Sequence, residues 1–299
     1  MTHVLVRIGS ALPLALALSA CATARPPATP PAGAPPSAPA APPAAAAEHP
    51  TLYATLWIQT AAEYRAIAWQ AYATARSSLA RALEDTTWTA AIEQEGTGYG
   101  GLPPAIILDV DETVLDNSPN QARMIRSGGE FDPESWSRWV EESRAPPVPG
   151  APEFLAVADS LGVTVFYVTN RDAPQEAATR RNLEAAGLPL EPDVDTILLR
   201  GERDDWVSDK LSRRTAVAER YRVILLVGDD FNDFVAANLP RAERDRLVER
   251  YRDRWGERWI VLPNPIYGSW ERALYSEATD PDAAERARLR LDAMEDLQP

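Results

Sequence analysis

The sequence predicts an α/β protein built on a parallel sheet that is covered by helices on both faces. Short apolar runs rich in β-branched residues alternate with helix-like stretches, a pattern that is typical of parallel sheets. Polar and acidic residues follow several of these runs. Because ligands bind beyond the carboxyl ends of the strands in such sheets, the polar residues indicate a functional site at that edge.

The first 20 residues predict an export signal. Arg7 precedes the apolar run "IGSALPLALALSA", and Cys21, the only cysteine, follows it. The ending Leu18-Ser19-Ala20-Cys21 resembles the lipobox of bacterial lipoproteins, which implies cleavage before Cys21 and lipidation of that cysteine. In that family an aspartate after the cysteine marks inner-membrane retention, and Ala22 stands there instead, so the resemblance implies a lipid anchor in the outer membrane of a bacterial cell envelope. The alternative is an uncleaved membrane anchor, for which the run is short.

Residues 21–50 predict a lipidated linker before a folded domain at residues 51–299. Residues 25–47 are almost entirely proline and alanine, and such a segment favours polyproline II and cannot bury a core. At about 3.1 Å per residue it could reach roughly 70 Å.

One long helix is predicted from Leu52 to Leu83, where apolar residues recur at helical spacing. The predicted strands are residues 105–109, 163–168, 196–199, 222–227 and 259–262. The predicted helices between most of them are residues 152–161, 173–186, 209–221 and 232–251. Residues 116–149 form an insertion between the first strand and the next helix.

Composition excludes several classes of function. The net charge of −14 argues against a nucleic acid polymer as partner. The two histidines, His3 and His49, lie outside the part predicted to fold, which excludes a Ser-His-Asp triad, a phosphohistidine and an imidazole-bound zinc. A single cysteine permits no intrachain disulfide.

Acidic and polar side chains cluster at the predicted strand ends. They are Asp109 and Asp111 after the first strand, Thr169 and Asn170 after the second, and Asp229, Asp230 and Asp233 after the fourth. The helix before the fourth strand begins near Lys210, the only lysine in a chain with 30 basic residues. A lysine retained among arginines indicates a site that needs a compact ammonium group; the alternative is a chance survivor on the surface.

In this order, Asp109-x-Asp111-x-Thr113, Thr169, Lys210 and Gly228-Asp229-Asp230 resemble the four motifs of the haloacid dehalogenase-like (HAD) phosphohydrolases. The segments "AAEYRAIAWQAY", "LDVDETVLDNS", "WSRWVEESRAPPVPGAPEFL", "VTNR", "GDDFNDF" and "NPIYGSWE" resemble the class C nonspecific acid phosphatases, a family of bacterial surface lipoproteins. The resemblance implies a Rossmann-like parallel sheet flanked by helices, with a small cap insertion at about 116–149 and a long N-terminal helix.

The resemblance also implies a mechanism with a phosphoaspartate intermediate. Asp109 would be the nucleophile, and Asp111 would protonate the leaving oxygen and then activate water. Residues i and i+2 of an extended segment face the same way, so both carboxylates can address one substrate atom. Thr169 and Lys210 would hold the phosphoryl oxygens, with help from the amide of Asn170.

One Mg²⁺ per chain is implied by the same resemblance. The family places it between the carboxylate of Asp109, the main-chain carbonyl of Asp111 and the carboxylate of Asp229, oxygen donors that suit this ion. Asp233 would orient Lys210 or a water on the metal. Asp230 stands where family members often carry a neutral amide, and its role stays open.

Three aromatic residues are candidates for stacking on the substrate. Trp136 and Trp139 are three residues apart in "ESWSRWVEES", on one face of a predicted helix, and Tyr267 lies in "NPIYGSW". The alternative for the tryptophans is packing under the cap, which we expect for one of them. The family favours nucleoside monophosphates, the substrates of a 5′-nucleotidase, and aryl phosphates.

Two other functions compete with a phosphomonoester hydrolase. A phosphotransferase would use the same intermediate and pass the phosphoryl group to an alcohol. A noncatalytic surface lipoprotein would bind a ligand through the same fold. The sequence leaves the oligomeric state open, with a homodimer as one option.

Overall fold

Five parallel strands form the centre of the fold, in the order β3-β2-β1-β4-β5. They are β1 (Pro104–Leu108), β2 (Thr164–Asp172), β3 (Ile197–Arg200), β4 (Arg222–Gly228) and β5 (Trp259–Val261). The chain builds outward from β1 to β3 and then continues on the other side of β1 with β4. Strand order therefore reverses next to β1, and this is where open parallel sheets bind their ligands. The predicted α/β class is confirmed.

The computed structural model describes residues 46, 48–235, 239–276, 278 and 281–294. The predicted signal, Cys21 and nearly all of the linker lie outside the described residues. The residues that are described belong to one compact unit that extends from Pro42 onward. None of its described helices is both long and apolar enough to cross a membrane.

Helices cover both faces of the sheet. The described α-helices are α1 (Leu52–Thr60), α2 (Ala62–Glu84), α3 (Ser118–Ser127), α4 (Pro133–Glu142), α5 (Ala151–Ser160), α6 (Glu176–Ala185), α7 (Leu211–Ala218), α8 (Arg241–Arg250), α9 (Ser269–Arg272) and α10 (Ala283–Asp292). Leu108 of β1 lies in one buried cluster with Leu79 of α2 and Leu155 of α5, whereas Ile107 lies in a second cluster with Val217 of α7. Successive strand residues thus supply two cores, one on each face.

The N-terminal helix is not continuous, and the prediction of one long helix was wrong. Ala61 has an extended backbone (φ −74°, ψ 129°) and separates α1 from α2. The bend allows Ile58 of α1 and Tyr64 of α2 to share a small buried cluster with Ile266 from the loop after β5. Burial of these three side chains compensates for the interruption of the helix.

The predicted helix at 232–251 is also shorter than expected. Phe231–Asp233 form a single 3₁₀ turn, and α8 begins at Arg241, directly after Pro240. A proline disfavours helical backbone in the residue before it, which explains a helix start at this point.

The insertion at 116–149 carries two short helices, α3 and α4. Gly128, in left-handed conformation (φ 67°), ends α3, and the carboxylate of Asp132 caps α4 by accepting a hydrogen bond from Ser135 N at 2.7 Å. The two ends of the insertion are joined, because Asp116 N donates to Pro146 O at 2.8 Å. His49 is also part of the fold, contrary to expectation, since its Nε2 lies 3.0 Å from Gly129 O.

Candidate active site

Asp109 lies directly beyond the central strand. Its main-chain N donates to Val227 O at 3.0 Å, which extends the β1–β4 pairing by one residue. The side chain is 11% exposed and opens at the carboxyl edge of the sheet. The strand therefore fixes a largely buried carboxylate where the strand order reverses.

Lys210 stands at the N-cap of α7 and is 4% exposed. Its Nζ donates to Asp109 Oδ1 and, at 2.6 Å, to Asp233 Oδ1. Burial alone would lower the pKa of Lys210, but the two carboxylates outweigh it and raise the pKa above its ordinary value. The single lysine is thus a buried, charged group, and the surface alternative is wrong.

Three carboxylates converge at the same edge. One oxygen from each of Asp109, Asp229 and Asp233 lies within 4.8 Å of the others. Asp229 accepts hydrogen bonds from Thr113 Oγ1 at 2.7 Å and from Asn264 Nδ2 at 2.9 Å. The cluster therefore consists of oxygen donors, held in place by neighbouring hydroxyl and amide groups.

The electrostatics of this cluster are unbalanced. Burial raises the pKa of Asp109 to about 7, against the lowering effect of Lys210. Burial, with repulsion from Asp109 and Asp233, raises the pKa of Asp229 well above its ordinary value. The ammonium group of Lys210 pairs with two of the three carboxylates and, among the described residues, leaves Asp229 without a cation, so the site is suited to a further cation.

Gly228 provides the space for Asp233. A Cβ atom added at Gly228 would lie 2.2 Å from Asp233 Oδ2, well inside contact distance. The same Oδ2 accepts a hydrogen bond from Asp230 N at 2.9 Å. A glycine is therefore needed at the end of β4, because any side chain there would collide with Asp233, whose carboxylate binds Lys210.

The carboxylate of Asp111 is separate from this cluster. It accepts hydrogen bonds from Arg171 Nη2 at 2.8 Å and from Asn117 Nδ2 at 2.9 Å, both on Oδ1. The carboxylate of Asp111 is thus held by side chains of β2 and of the insertion, outside the cluster.

Thr169 and Asn170 lie in the last part of β2, which extends four residues further than predicted. Thr169 is fully buried, and its hydroxyl accepts from Arg171 N at 3.1 Å. The side chain of Asn170 accepts from Arg213 Nη2 at 2.7 Å and donates to Ser208 O at 3.0 Å. The side-chain amide of Asn170 is thus committed to these two partners.

Asp230 ties two loops together. Its carboxylate accepts from Ser269 N and from Ser269 Oγ, each at 2.5 Å, and caps the following 3₁₀ turn at Asn232 N, 2.9 Å away. Burial raises the pKa of Asp230, but these hydrogen bonds outweigh it and leave the pKa below its ordinary value. The role left open by the sequence is therefore a connection between the loop after β4 and α9.

The aromatic candidates differ in position. Trp139 is 3% exposed and its indole N–H donates to Asn117 Oδ1 at 2.7 Å, so it is the tryptophan that packs under the cap. Trp136 is partly buried, and the guanidinium of Arg171 lies 5.8 Å from its ring centroid. Tyr267 is also partly buried and donates its hydroxyl to Glu112 Oε2. The prediction that Trp139 stacks on the substrate is therefore wrong, and Trp136 and Tyr267 remain candidates.

Sequence reasoning missed four residues that shape the site, Glu112, Asn117, Arg171 and Asn264. Glu112 is 2% exposed, has a left-handed backbone (φ 60°) and accepts from Asn117 N at 3.0 Å. Its position inside "DVDET" and the Arg that ends "VTNR" were visible in the sequence, but spacing does not show which partner a side chain contacts.

The family model described as "HAD superfamily, subfamily IIIB (Acid phosphatase)" matches residues 37–270. This range covers most of the chain, and the chain therefore belongs to this acid phosphatase family.

A solved structure of the class C acid phosphatase from Bacillus anthracis superposes with a TM-score of 0.73 at 35% identity, covering 83% of this chain and 98% of that one. A second structure of that protein, with tungstate bound, gives a TM-score of 0.72 at 35% identity over the same shares. Within its family the chain is thus a member of the class C acid phosphatases.

Two curated plant proteins are also similar. The chain is 29% identical over 165 residues to acid phosphatase 1 of Solanum lycopersicum, which covers 54% of this chain and 57% of that protein. It is 26% identical over 167 residues to the stem 31 kDa glycoprotein of Glycine max, which covers 54% of this chain and 58% of that protein. The chain spans a little over half the length of these two relatives.

Proposed function

We propose that the protein is a metal-dependent hydrolase of small phosphomonoesters that acts through a phosphoaspartate intermediate. The observation that supports this best is the buried cluster of Asp109, Lys210, Asp229 and Asp233 at the carboxyl edge of β1. A nucleophile, a fixed cation and spare carboxylate oxygens lie together there, and phosphoryl transfer needs each of them.

The proposed reaction has two chemical steps. In the first, a carboxylate oxygen of Asp109 forms a bond to phosphorus while the ester P–O bond breaks, and Asp111 gives its proton to the leaving oxygen. In the second, water bonds to phosphorus and gives a proton to Asp111, while the bond from phosphorus to Asp109 breaks. The products are an alcohol and inorganic phosphate, and both aspartates return to their starting state.

The other site residues hold the phosphoryl group. Lys210 stays charged between two carboxylates, so it can compensate the oxygens that gain negative charge. The hydroxyl of Thr169 and the main-chain amide of Asn170 lie at the end of β2, beside β1. These groups would orient phosphorus for in-line attack by Asp109.

The donor set fits one Mg²⁺ per chain. The described cluster offers carboxylate oxygens only, and burial together with repulsion between the carboxylates raises the pKa values of Asp109 and Asp229. Asp109, the main-chain carbonyl of Asp111 and Asp229 would hold the ion, with Asp233 beside it. The ion would supply positive charge that keeps Asp109 ionised and offsets the charge on the phosphoryl group.

The proposed substrates are nucleoside monophosphates and aryl phosphates. Trp136 and Tyr267 are partly buried aromatic side chains that could contact a base or an aryl ring. The similar enzyme from Bacillus anthracis has a structure with tungstate bound, a tetrahedral oxyanion like phosphate. We further propose that lipid on Cys21 anchors the enzyme in the outer membrane.

Turnover of 4-nitrophenyl phosphate tests the proposal. We expect the wild-type enzyme to release nitrophenol, to lose activity after exhaustive chelation and to regain it with Mg²⁺. Asp109→Asn should retain less than about a hundredth of kcat, because an amide cannot replace a covalent nucleophile. Asp159→Asn, at an exposed position of α5, is the matched control and should be fully active. Full activity after exhaustive chelation would contradict the proposed metal dependence.

Product analysis separates the competing functions. In the presence of added ethanol, a hydrolase releases inorganic phosphate in the same amount as nitrophenol. A phosphotransferase would instead form ethyl phosphate and leave a deficit of inorganic phosphate. A noncatalytic binding protein would release no nitrophenol under any of these conditions.

A further inference from the structure

Arg171 is a buried arginine whose side chain is directed at Asp111. It is 2% exposed, and its Nε and Nη2 lie 3.0 and 2.8 Å from Asp111 Oδ1. The remaining nitrogen, Nη1, donates to Thr179 Oγ1 of α6 at 3.2 Å. A guanidinium taken out of water needs a charged partner in good geometry, and Asp111 is that partner.

The two oxygens of Asp111 have different surroundings. Oδ1 accepts from two nitrogens of Arg171 and also from Asn117 Nδ2 at 2.9 Å. Within the described part of the chain, Oδ2 has one donor, Arg171 Nε at 3.2 Å. A carboxylate oxygen has room for about two close donors. Oδ1 is therefore saturated, and Oδ2 is the oxygen that can carry a proton.

Both groups that hold Oδ1 are held in turn by the cap. Trp136 of α4 lies against the guanidinium of Arg171, with 5.8 Å from the carbon to the ring centroid. Trp139 of the same helix donates its indole N–H to Asn117 Oδ1 at 2.7 Å. The two tryptophans of one helical face thus support the two side chains that fix one carboxyl group.

We propose that Arg171 is a positioning residue for proton transfer by Asp111, supported by Asn117 and by the two tryptophans of α4. Arg171 fixes the carboxyl group so that Oδ2 gives its proton to the leaving oxygen and later takes one from water. This inference rests on the proposed function. It implies that Arg171 matters most for alkyl phosphates, whose leaving oxygen must be protonated, and least for esters of acidic phenols.

A second arrangement predicts a different result. If Arg171 turned away from Asp111 to bind the phosphoryl group, every phosphomonoester would lose that contact equally. The same uniform loss would follow if Arg171 only stabilised the fold. Dependence on the leaving group therefore separates positioning of the proton donor from both of these roles.

The experiment compares kcat/KM on propyl phosphate and on 2,4-dinitrophenyl phosphate. This ratio reports the steps up to cleavage of the ester bond, so the later role of Asp111 as base does not affect it. The variants are Arg171→Met, Arg171→Lys, Asp111→Asn and the double variant of Arg171→Met with Asp111→Asn. Arg171→Lys keeps the charge and serves if the methionine variant does not fold, which circular dichroism shows.

Arg222→Met is the matched control. Arg222 is another buried arginine, at the opposite end of the sheet, where its Nη1 donates to the carbonyl oxygens of Ala82, Asp85 and Trp88. Its loss should lower the melting temperature and change kcat/KM for the two substrates by the same factor. This variant therefore measures the effect on kcat/KM of removing a buried guanidinium that does not contact Asp111.

We expect Arg171→Met to lower kcat/KM on propyl phosphate by about 100-fold and on dinitrophenyl phosphate by less than about 3-fold, within the range of general acid catalysis. Arg171→Lys should show the same selectivity on a smaller scale. The double variant should be no slower on propyl phosphate than Asp111→Asn, because Arg171 acts through Asp111.

Three results would overturn the inference. They are equal loss on both substrates for both Arg171 variants, additive loss in the double variant, and the same selectivity in Arg222→Met. Trp139→Phe keeps an aromatic ring but removes the indole N–H that binds Asn117, together with part of the ring system. It should give the selectivity of Arg171→Lys, and an unchanged ratio would overturn the part assigned to α4. If the wild-type enzyme hydrolyses neither phosphate, the proposed function fails, an outcome distinct from any of these.

Discussion

At the position of Lys210, the shape of the charged group matters as much as its charge. Its ammonium group fits between Asp109 and Asp233, and it is nearly fully buried. Elsewhere the chain uses arginine for every basic position. The exception falls where a point charge is needed and a planar, five-donor head would meet carboxylates on two sides.

We therefore expect Lys210→Arg to be nearly as damaging as Lys210→Ala. The wider guanidinium should displace Asp109 from phosphorus, and small displacements of reacting groups can cost about 100-fold in kcat/KM. The measurement is kcat/KM on an aryl phosphate, with circular dichroism to verify folding. Arg220→Lys, an exchange at an exposed position, is the control. A folded arginine variant within about twofold of wild type, or ~0.5 kcal/mol, would show that the site tolerates either head group.

Gly228→Ala should disrupt the contact between Asp233 and Lys210. The added methyl would lie 2.2 Å from Asp233 Oδ2, so Asp233 must move and lose Lys210. We expect stability to fall by about 1–3 kcal/mol and kcat/KM by at least about tenfold. Gly98→Ala, where an added Cβ has nothing within 4 Å, is the control in thermal unfolding and turnover. A Gly228 variant with wild-type turnover would mean that Asp233 is dispensable.

At the residue scale, the sequence predicted the acids and the lysine but not the arginine. Asp109, Lys210 and Asp229 could be predicted because strand ends meet at one edge and because a lone lysine is conspicuous. Arg171 could not, since one arginine among many carries no signal until its partner is known. Asn264 is separated from Asp229 by 35 positions in sequence. Contacts of this kind depend on side-chain direction, which residue spacing does not determine.

At the scale of elements, the loops after β4 and β5 act as one unit. Asp230, in the first loop, accepts two hydrogen bonds from Ser269 at the start of α9. Asn264, in the second loop, donates to Asp229 in the first. The segment that includes Tyr267 is therefore held against the carboxylate cluster at two points.

Asp230→Ala should loosen this connection. Loss of a carboxylate that accepts several hydrogen bonds leaves Ser269 N without its partner, at a cost of about 1–3 kcal/mol in the free energy of unfolding. We expect a lower melting temperature together with a higher KM, because Tyr267 moves with the loop. Asp282→Ala removes a helix cap at α10, where Asp282 accepts from Glu285 N, and should leave KM unchanged. An unaltered KM in Asp230→Ala would mean that the loop positions no substrate contact.

The helix boundaries illustrate why elements were predicted better than their ends. The strands were placed to within a few residues because their apolar runs are bounded by polar residues. The break at Ala61 lies within an alanine-rich stretch with no proline or glycine, so helical propensity continues across it. The interruption is stabilised by Ile266, about 200 residues away in sequence. Tertiary packing of this kind overrides local propensity.

At the scale of the whole molecule, one prediction does not depend on the described fold. It is the lipid anchor at Cys21. Cys21 lies outside the described residues, and the sequence between it and the folded domain is a proline- and alanine-rich spacer. We expect Cys21→Ser to shift the protein from the membrane fraction to the soluble fraction, with unchanged kcat on an aryl phosphate. Thr23→Ala, two residues further on, should stay in the membrane fraction like wild type. Membrane retention of the serine variant would contradict lipid anchoring.

Because Lys210 is buried, proteolysis after this residue reports local unfolding of the site. An endoproteinase that cleaves after lysine has one target bond in this chain, and that bond follows a side chain locked between two carboxylates. Cleavage therefore requires the start of α7 to detach, so its rate under limiting protease measures the population of opened molecules. An oxyanion bound at the site would lower that population by mass action and protect the bond. A single cut, followed over time, would thus give the local stability of the catalytic edge without any label.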